Sequence, residues 1–464
     1  MDALPLARLA QFAGGEIVSG NRDLTINRVS TDSRALQPGD LFVALRGENF
    51  DGHSFVATAV ERGAAGVVVD RDWSESVPDS CAVLRVAETL AAYQQIAAQY
   101  RQTLPLKVVA ITGSNGKTST KDFVAAVLGR RFRVTKTEGN LNNHVGVPRT
   151  MLEASARDEI AVWEIGMNRA GEVAALAKLA RPDVALITNV GVAHIEFFGT
   201  RAAIAAEKGA LAEAVGADGT VILNADDDFS ASIADRTRGK TIFAGINHGT
   251  VRATDVRQTG EGSEFTIVEG AHRCRAQLPV PGSHMVQNAL LAIAAGRVFG
   301  LSLEECATGL ASAALTGARL QIKQIHGLQF IDDSYNANPD SMKAALRTLA
   351  AMDSDGRRFA VLGGMAELGA ASAQAHREVG EAAARAGIDE LITIGEEARE
   401  IARSARSAGL ENAAPVASAE AAAEILAERA KPGDVVLVKG SRSARTERVL
   451  EEFAKSQSAG GCAR

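Results

Sequence analysis

The sequence predicts a three-domain α/β protein. A small α/β domain spans residues 1–85, a central domain with a mainly parallel sheet spans 86–318, and a doubly wound, Rossmann-like domain spans 319–464. Three observations carry this reading. Short apolar runs alternate with helical patterns along the chain, as in strands joined by crossover helices. A length of 464 residues corresponds to about three domains of ordinary size. One apolar run, Val108-Val-Ala-Ile111, leads through a glycine-bearing turn into a helical pattern.

In the first domain, Leu41-Phe-Val-Ala-Leu45 and Gly66-Val-Val-Val69 are short apolar strands, with a helical pattern at 54–62 between them. The alanine-rich stretch 87–100 is helical, and Pro105 ends it. The central domain alternates strands at 160–165, 184–189 and 220–224 with helices at 171–179 and 201–215. Residues 240–280, rich in Thr, Val and Gly, form a β-rich insertion. Beyond Thr316-Gly-Ala-Arg319, strands at 329–332, 359–362, 391–394 and 435–439 build the third domain. The tail 456–464 is expected to be disordered.

Composition narrows the function. A net charge of −6 offers no global basic field for nucleic acid or an anionic membrane. No apolar stretch is long enough to span a bilayer, and Met1-Asp-Ala-Leu-Pro5 does not begin a secretory signal. Cys81, Cys274, Cys306 and Cys462 lack metal-binding spacing and read as reduced thiols. A cytoplasmic protein is expected.

The strongest chemical signal is Val108-Val-Ala-Ile-Thr-Gly-Ser-Asn-Gly-Lys-Thr-Ser-Thr120. A buried strand runs into Gly113, Ser114, Asn115, Gly116, Lys117, Thr118 and Ser119, and Phe123, Val124 and Val127 continue at helical spacing. Glycines let backbone N–H groups turn onto phosphates, the helix N-terminus adds partial positive charge, and lysine neutralises the terminal phosphates. The following hydroxyl suits magnesium. Ile111 stands where a full Walker loop has glycine, so the loop is a shortened G-x-x-G-K-T form. The ligand is ATP or a close relative, and the central domain is of the P-loop ATPase type.

Sheets of this kind bind ligands beyond the carboxyl ends of their strands, where Glu164 and Asn189 stand. A carboxylate there suits magnesium. His194 follows the next strand, a position more often filled by a hydrogen-bonded structural histidine. Lys208, taken alone, reads as a solvated helix lysine. His284 and Asn288 share one helix face. Arg319 and Asp333 suit an ion pair between domains, and Lys439-Gly-Ser-Arg442 reads as a solvated basic turn. Asn338-Pro339 is a helix start, with Tyr335 and Asn336 exposed on the loop before it.

Together with the loop, these segments resemble the Mur ligase family, the ATP-dependent amide-forming enzymes of cell-wall precursor synthesis. The similarity covers nearly the whole chain. Ser30-Thr-Asp-Ser-Arg34, Pro38-Gly-Asp-Leu-Phe42 and Asp51-Gly-His53 are similar to the family's UDP-sugar-binding first domain. Gly139-Asn-Leu-Asn-Asn143, Asp333-Ser-Tyr-Asn-Ala-Asn-Pro339 and Leu362-Gly-Gly-Met-Ala-Glu-Leu-Gly369 are similar to the branch that takes a D-alanyl-D-alanine dipeptide.

The resemblance implies that ATP drives addition of D-alanyl-D-alanine to UDP-N-acetylmuramoyl-tripeptide through an acyl phosphate. ATP would be held by residues 113–119, by Asn288 at adenine, and by Arg319 and Asp333 at phosphate and ribose. Two magnesium ions would be served by Thr118, Glu164, His194 and Lys208, the last carbamylated by carbon dioxide. Lys117, His194 and Lys208 would act in catalysis. The two substrates would meet Ser30, Asp32, Ser33, Arg34, Asp51, His53, Asn140, Asn142, Asn143, Tyr335, Asn336 and Asn338. A monomer without nucleic-acid partner or membrane insertion is expected.

Overall fold

The computed structural model describes residues 1–47 and 50–456. The expected disorder of the tail, and Cys462, lie outside the described residues. The chain forms two compact units: one of residues 1–110, 132–167 and 171–183, the other of 111–131, 168–170 and 184–464.

The first unit contains the N-terminal sheet, in the order Glu16–Ser19, Ala82–Val86, Gly66–Asp70, Leu41–Val43, Val29–Ser30. Its pairs are parallel except for the Glu16–Ser19 edge. The apolar runs read from the sequence are its central strands, and Phe42, Val67, Val69 and Val83 form one core with Trp73. The helical pattern at 54–62 opens as a tight 3₁₀ turn, Gly52–Phe55, before the α-helix Val56–Glu61. Helix Thr89–Thr103 packs against helices Leu6–Ala13 and Gly146–Glu153. In the same unit, strand Val134–Lys136 pairs in parallel with Ile160–Glu164.

The second unit holds the nucleotide loop and two sheets. Val184–Ile187, Thr220–Asn224 and Lys240–Gly245 pair in parallel. The 240–280 insertion continues them as Val251–Thr259, then the antiparallel Gly262–Glu269 and His272–Leu278. Helix Ser283–Val298 is apolar and buried through its central run Ala289–Gly296, and it packs against the loop helix Lys117–Leu128.

The C-terminal sheet runs Gln321–Ile325, Leu328–Asp333, Val435–Lys439, Arg358–Gly363, Glu390–Ile394, Ala413–Val416. Only its first pair is antiparallel. Phe330, Phe359, Val361, Val436 and Phe453 form its core on one face. The chain-order reversal around Val435–Lys439 makes the doubly wound pattern, whose ligands sit at strand carboxyl ends. Asp333 and Lys439 are register partners at those ends.

Candidate active site

The loop helix begins at Lys117, and its first internal bond joins the Thr120 N–H to the Gly116 carbonyl at 2.8 Å. The first-turn N–H groups of residues 117–119 stand at the positive end of the helix dipole. Gly116 has φ +78°, and a Cβ there would lie 2.7 Å from the Asn288 amide. Glycine is required on both counts. Asn288 is buried against the loop. Lys117 Nζ lies over the loop, donating to the Gly113 carbonyl at 2.9 Å.

The turn after Val184–Ile187 holds the loop in shape. The Asn189 side chain accepts from the Asn115 N–H at 2.9 Å and donates to the Asn115 carbonyl at 3.1 Å. Thr188 Oγ1 donates to the same carbonyl at 2.5 Å, and Ser114 Oγ accepts from the Gly191 N–H at 2.9 Å. Asn189 was placed at the strand end by its sequence position without a role, and Thr188 carried no signal.

Arg319 and Glu367 of the C-terminal block reach this region, beside an ion pair internal to the block. The Arg319 guanidinium donates to Thr118 Oγ1 at 3.0 Å and stacks on Tyr335 at 3.9 Å. The expected Arg319–Asp333 ion pair gives way to another: Lys439 Nζ bonds Asp333 at 2.6 Å and the Asn336 carbonyl at 2.8 Å. Burial pushes the Asp333 carboxyl up, and Lys439 opposes it. Lys439 is therefore a buried counter-ion, not a solvated turn residue. Tyr335 is half-buried beneath Arg319, whereas Asn336 is exposed. Glu367 reaches His194 Nδ1 at 3.1 Å, and His194 itself adopts φ +64°.

Lys208 overturns its solvated reading. It is 1% exposed, and burial, followed by the charge of Lys117, holds its ammonium well below the ordinary range. Half of the other residues of its helix are alanine, and only the tertiary fold buries it.

His284 sits where helix Ser283–Val298 begins. Burial first, then Lys439 and Arg347, lower its pKa from 6.5 to about 4. The neutral ring is the folded form, so its stabilisation is full above pH 6.5 and is lost as pH falls from 6.5 towards 4. His284→Gln is expected to lose less stability than the parent on going from pH 7.5 to 5. The gap should be about 2 kcal/mol, read from urea midpoints. Equal losses would mean that His284 does not titrate in this window.

In the first unit, Glu164 is 2% exposed, accepts from Asn142 Nδ2 at 2.7 Å, and takes its backbone position from Thr137 Oγ1 at 3.0 Å. Asn143 accepts from the N–H groups of Val145 and Gly146 and starts helix Gly146–Glu153, while Asn140 is exposed. Asp32 caps the turn Ser33–Ala35 and pairs with the exposed Arg34, and Ser30 Oγ accepts from the Asp32 N–H at 3.2 Å. Asp51 caps Gly52–Phe55 and accepts from His53 Nδ1 at 2.6 Å. His53 Nε2 accepts from the Asp70 N–H at 3.0 Å. Both His53 nitrogens are thus engaged by protein, and the ring, 6% exposed, fixes the loop that presents Asp51.

Among the described residues no three His, Cys, Asp or Glu side chains gather as a metal cage. Magnesium rarely needs one, since it retains waters and uses substrate phosphates beside one or two protein oxygens. The Thr118 hydroxyl in the second unit is an oxygen donor of that kind, and so, within the first unit, is the buried Glu164 carboxylate. Cys81 and Cys306 are buried thiols pushed up to about 11 and about 12 by desolvation, hence unreactive. No described helix is long and apolar enough to cross a membrane.

Three family models match in chain order: Mur ligase family, catalytic domain over residues 25–101; Mur ligase middle domain over 111–296; and Mur ligase, glutamate ligase domain over 318–442. The UDP-N-acetylmuramoyl-tripeptide–D-alanyl-D-alanine ligase of Bacillus subtilis (strain 168) is 39% identical over 451 residues, 97% of this chain and 98% of its own. Its Escherichia coli (strain K12) counterpart is 38% identical over 455 residues, with the same coverage. A crystal structure of MurF from Acinetobacter baumannii matches with a TM-score of 0.89 at 32% identity, covering 98% of this chain and 100% of that one. MurF ligase from Thermotoga maritima in complex with ADP matches with a TM-score of 0.85 at 29% identity, covering 94% and 98%. With three α/β blocks in this order and relatives aligned from end to end, the chain belongs to the Mur ligase family.

Proposed function

We propose that the protein joins D-alanyl-D-alanine to UDP-N-acetylmuramoyl-tripeptide with ATP, forming the UDP-muramyl-pentapeptide precursor of peptidoglycan in the cytoplasm. One observation carries the reading: Arg319 of the C-terminal block reaches Thr118 of the nucleotide loop, next to the Tyr335–Asn338 segment. A phosphate-transferring loop and a second-substrate segment thus share one place.

A carboxylate is a poor electrophile, so the γ-phosphoryl group is first passed to it, giving an acyl phosphate. Lys117 and Arg319 would neutralise the moving phosphoryl group, and the first-turn N–H groups and helix dipole would hold its neighbours. Magnesium, with oxygen ligands from Thr118 and Glu164, would supply further charge neutralisation when bound. The dipeptide amine then attacks the acyl carbon and inorganic phosphate departs. Asn288 would face adenine, and Asp333, held by Lys439, the ribose. Glu164 with His194 would help bind a second metal ion, and a carbamylated Lys208 would add an oxygen ligand. The low ammonium pKa of Lys208 supports this, because carbamylation needs a neutral amine.

Residues 1–85 would bind the UDP-muramyl substrate through Ser30, Asp32, Ser33, Arg34 and Asp51, with His53 shaping the loop. Residues 86–318 would hold ATP, with Asn140, Asn142 and Asn143 towards the acceptor. Residues 319–464 would receive the dipeptide through Tyr335, Asn336 and Asn338. The protein would act as a monomer.

Phosphate release is expected only when ATP, magnesium, the UDP-muramyl tripeptide and D-alanyl-D-alanine are all present. Mass spectrometry of the products should show the pentapeptide. Steady ATP hydrolysis without either substrate would point instead to a nucleotide-driven switch.

A further inference from the structure

We propose that Asp340 and Asn338 form a latch fastening the second-substrate segment to the nucleotide loop, with Asp340 as a positioning residue for the reaction. The inference rests on the ligase reading above for its kinetic consequence, though not for its geometry.

Helix Pro339–Ala351 is capped by Asn338, whose Oδ1 accepts from the Ser341 N–H at 2.9 Å. A cap needs only that oxygen. The other half of the same amide, Nδ2, donates to Asn115 Oδ1 at 2.6 Å, in the middle of the nucleotide loop. An acid in a first helical turn is ordinarily explained by the helix dipole. Asp340 does more, since its Oδ2 accepts from the Val192 N–H at 3.0 Å. The approach is so close that a Cβ on Gly191 would stand 2.3 Å from that oxygen.

These bonds close a circuit. Asn115 is tied to Asn189, and Gly191 to Ser114, within the loop and the turn beside it. Asn338 and Asp340 bridge the two halves from the first turn of one helix. The residues just before that helix, Asp333 to Asn336, include the Lys439-held carboxylate and the exposed Asn336. A shift of the loop is therefore transmitted to them through two short, partly buried hydrogen bonds. Asn115 and Asp340 read the nucleotide side and the amine side at once.

The test uses the full chain and the variants Asp340→Ala, Asp340→Asn and Gly191→Ala. Hydrogen exchange of peptides containing Val192 should speed up by about tenfold in Asp340→Ala, as expected for a lost charge-assisted bond, with little change in Asp340→Asn. Gly191→Ala, which keeps the carboxylate but forces it away, should match Asp340→Ala. In turnover, KM for D-alanyl-D-alanine should rise about tenfold and kcat should fall. ADP affinity by calorimetry should stay within about twofold. The Gly191→Ala/Asp340→Ala double variant should be no worse than either single one, because both break the same contact.

Unchanged exchange at Val192, or fully additive losses in the double variant, would overturn the latch. An equal loss of ADP affinity would overturn it as well, showing a general collapse of the loop. If the parent protein made no pentapeptide while Val192 exchange still responded to Asp340, the ligase reading would fail and the latch would stand.

Discussion

Lys117→Ala is expected to lower ligation by about a thousandfold or more while leaving the fold intact. The side chain is half-buried over the loop and donates to the Gly113 carbonyl, so truncation removes a cation from the phosphate site and little packing. Thermal melting should show a small change beside the kinetic loss. The Lys208 amine should also become easier to protonate, because Lys117 is the second cause of its depression after burial. Retention of more than a tenth of the parent turnover would mean that Lys117 is dispensable for the phosphoryl step.

The second large effect is expected at Lys208. A neutral amine can attack carbon dioxide, lose a proton and leave a carbamate, which turns a cation into an oxygen ligand that magnesium prefers. Lys208→Ala should be at least about a hundredfold less active, as for lost support of a metal site. A small carboxylate such as formate or acetate should restore part of that activity by entering the space left behind. Lys208→Arg should not respond, because the guanidinium fills the space and keeps its charge. Full activity of Lys208→Ala without additive would remove the lysine from the mechanism. A melting curve like the parent's would separate lost chemistry from lost packing.

Much of the fold was legible in the sequence because buried strands announce themselves by apolar runs. Residues 220–224 and 435–439 match the observed strands, and Asn338-Pro339 starts its helix as read. The edge strands were not legible. Gln321–Ile325 is mostly polar and breaks alternation at Lys323-Gln324, Ala413–Val416 contains a proline, and Val134–Lys136 has only three residues. Each is stabilised by its neighbour more than by its own composition. In the candidate site, the loop was legible from spacing alone, since its glycines answer local backbone demands. Taken alone, Lys208 and Lys439 read as solvated because burial of a lysine depends on partners remote in sequence, and only the family resemblance gave Lys208 a place in the site. Asp340 was hidden for another reason: an acid in a first helical turn has a sufficient local explanation.

The loop helix also holds the chain where the C-terminal block begins. Asp122, buried on that helix, accepts from the Thr316 N–H at 2.7 Å and from its hydroxyl at 3.1 Å. Just beyond lie Gly317 at φ +73° and Leu320 at φ +51°, with Arg319 between them. Were the C-terminal block to rotate, this pinned bend would be the fulcrum, and distance from it would set how far each residue swings. Arg319, beside the bend, would keep its place next to Thr118 through any such rotation. The strands Glu390–Ile394 and Ala413–Val416, at the far edge of the sheet, ride on the long arm. A spectroscopic label there would register angular changes that a probe at Arg319 would scarcely feel.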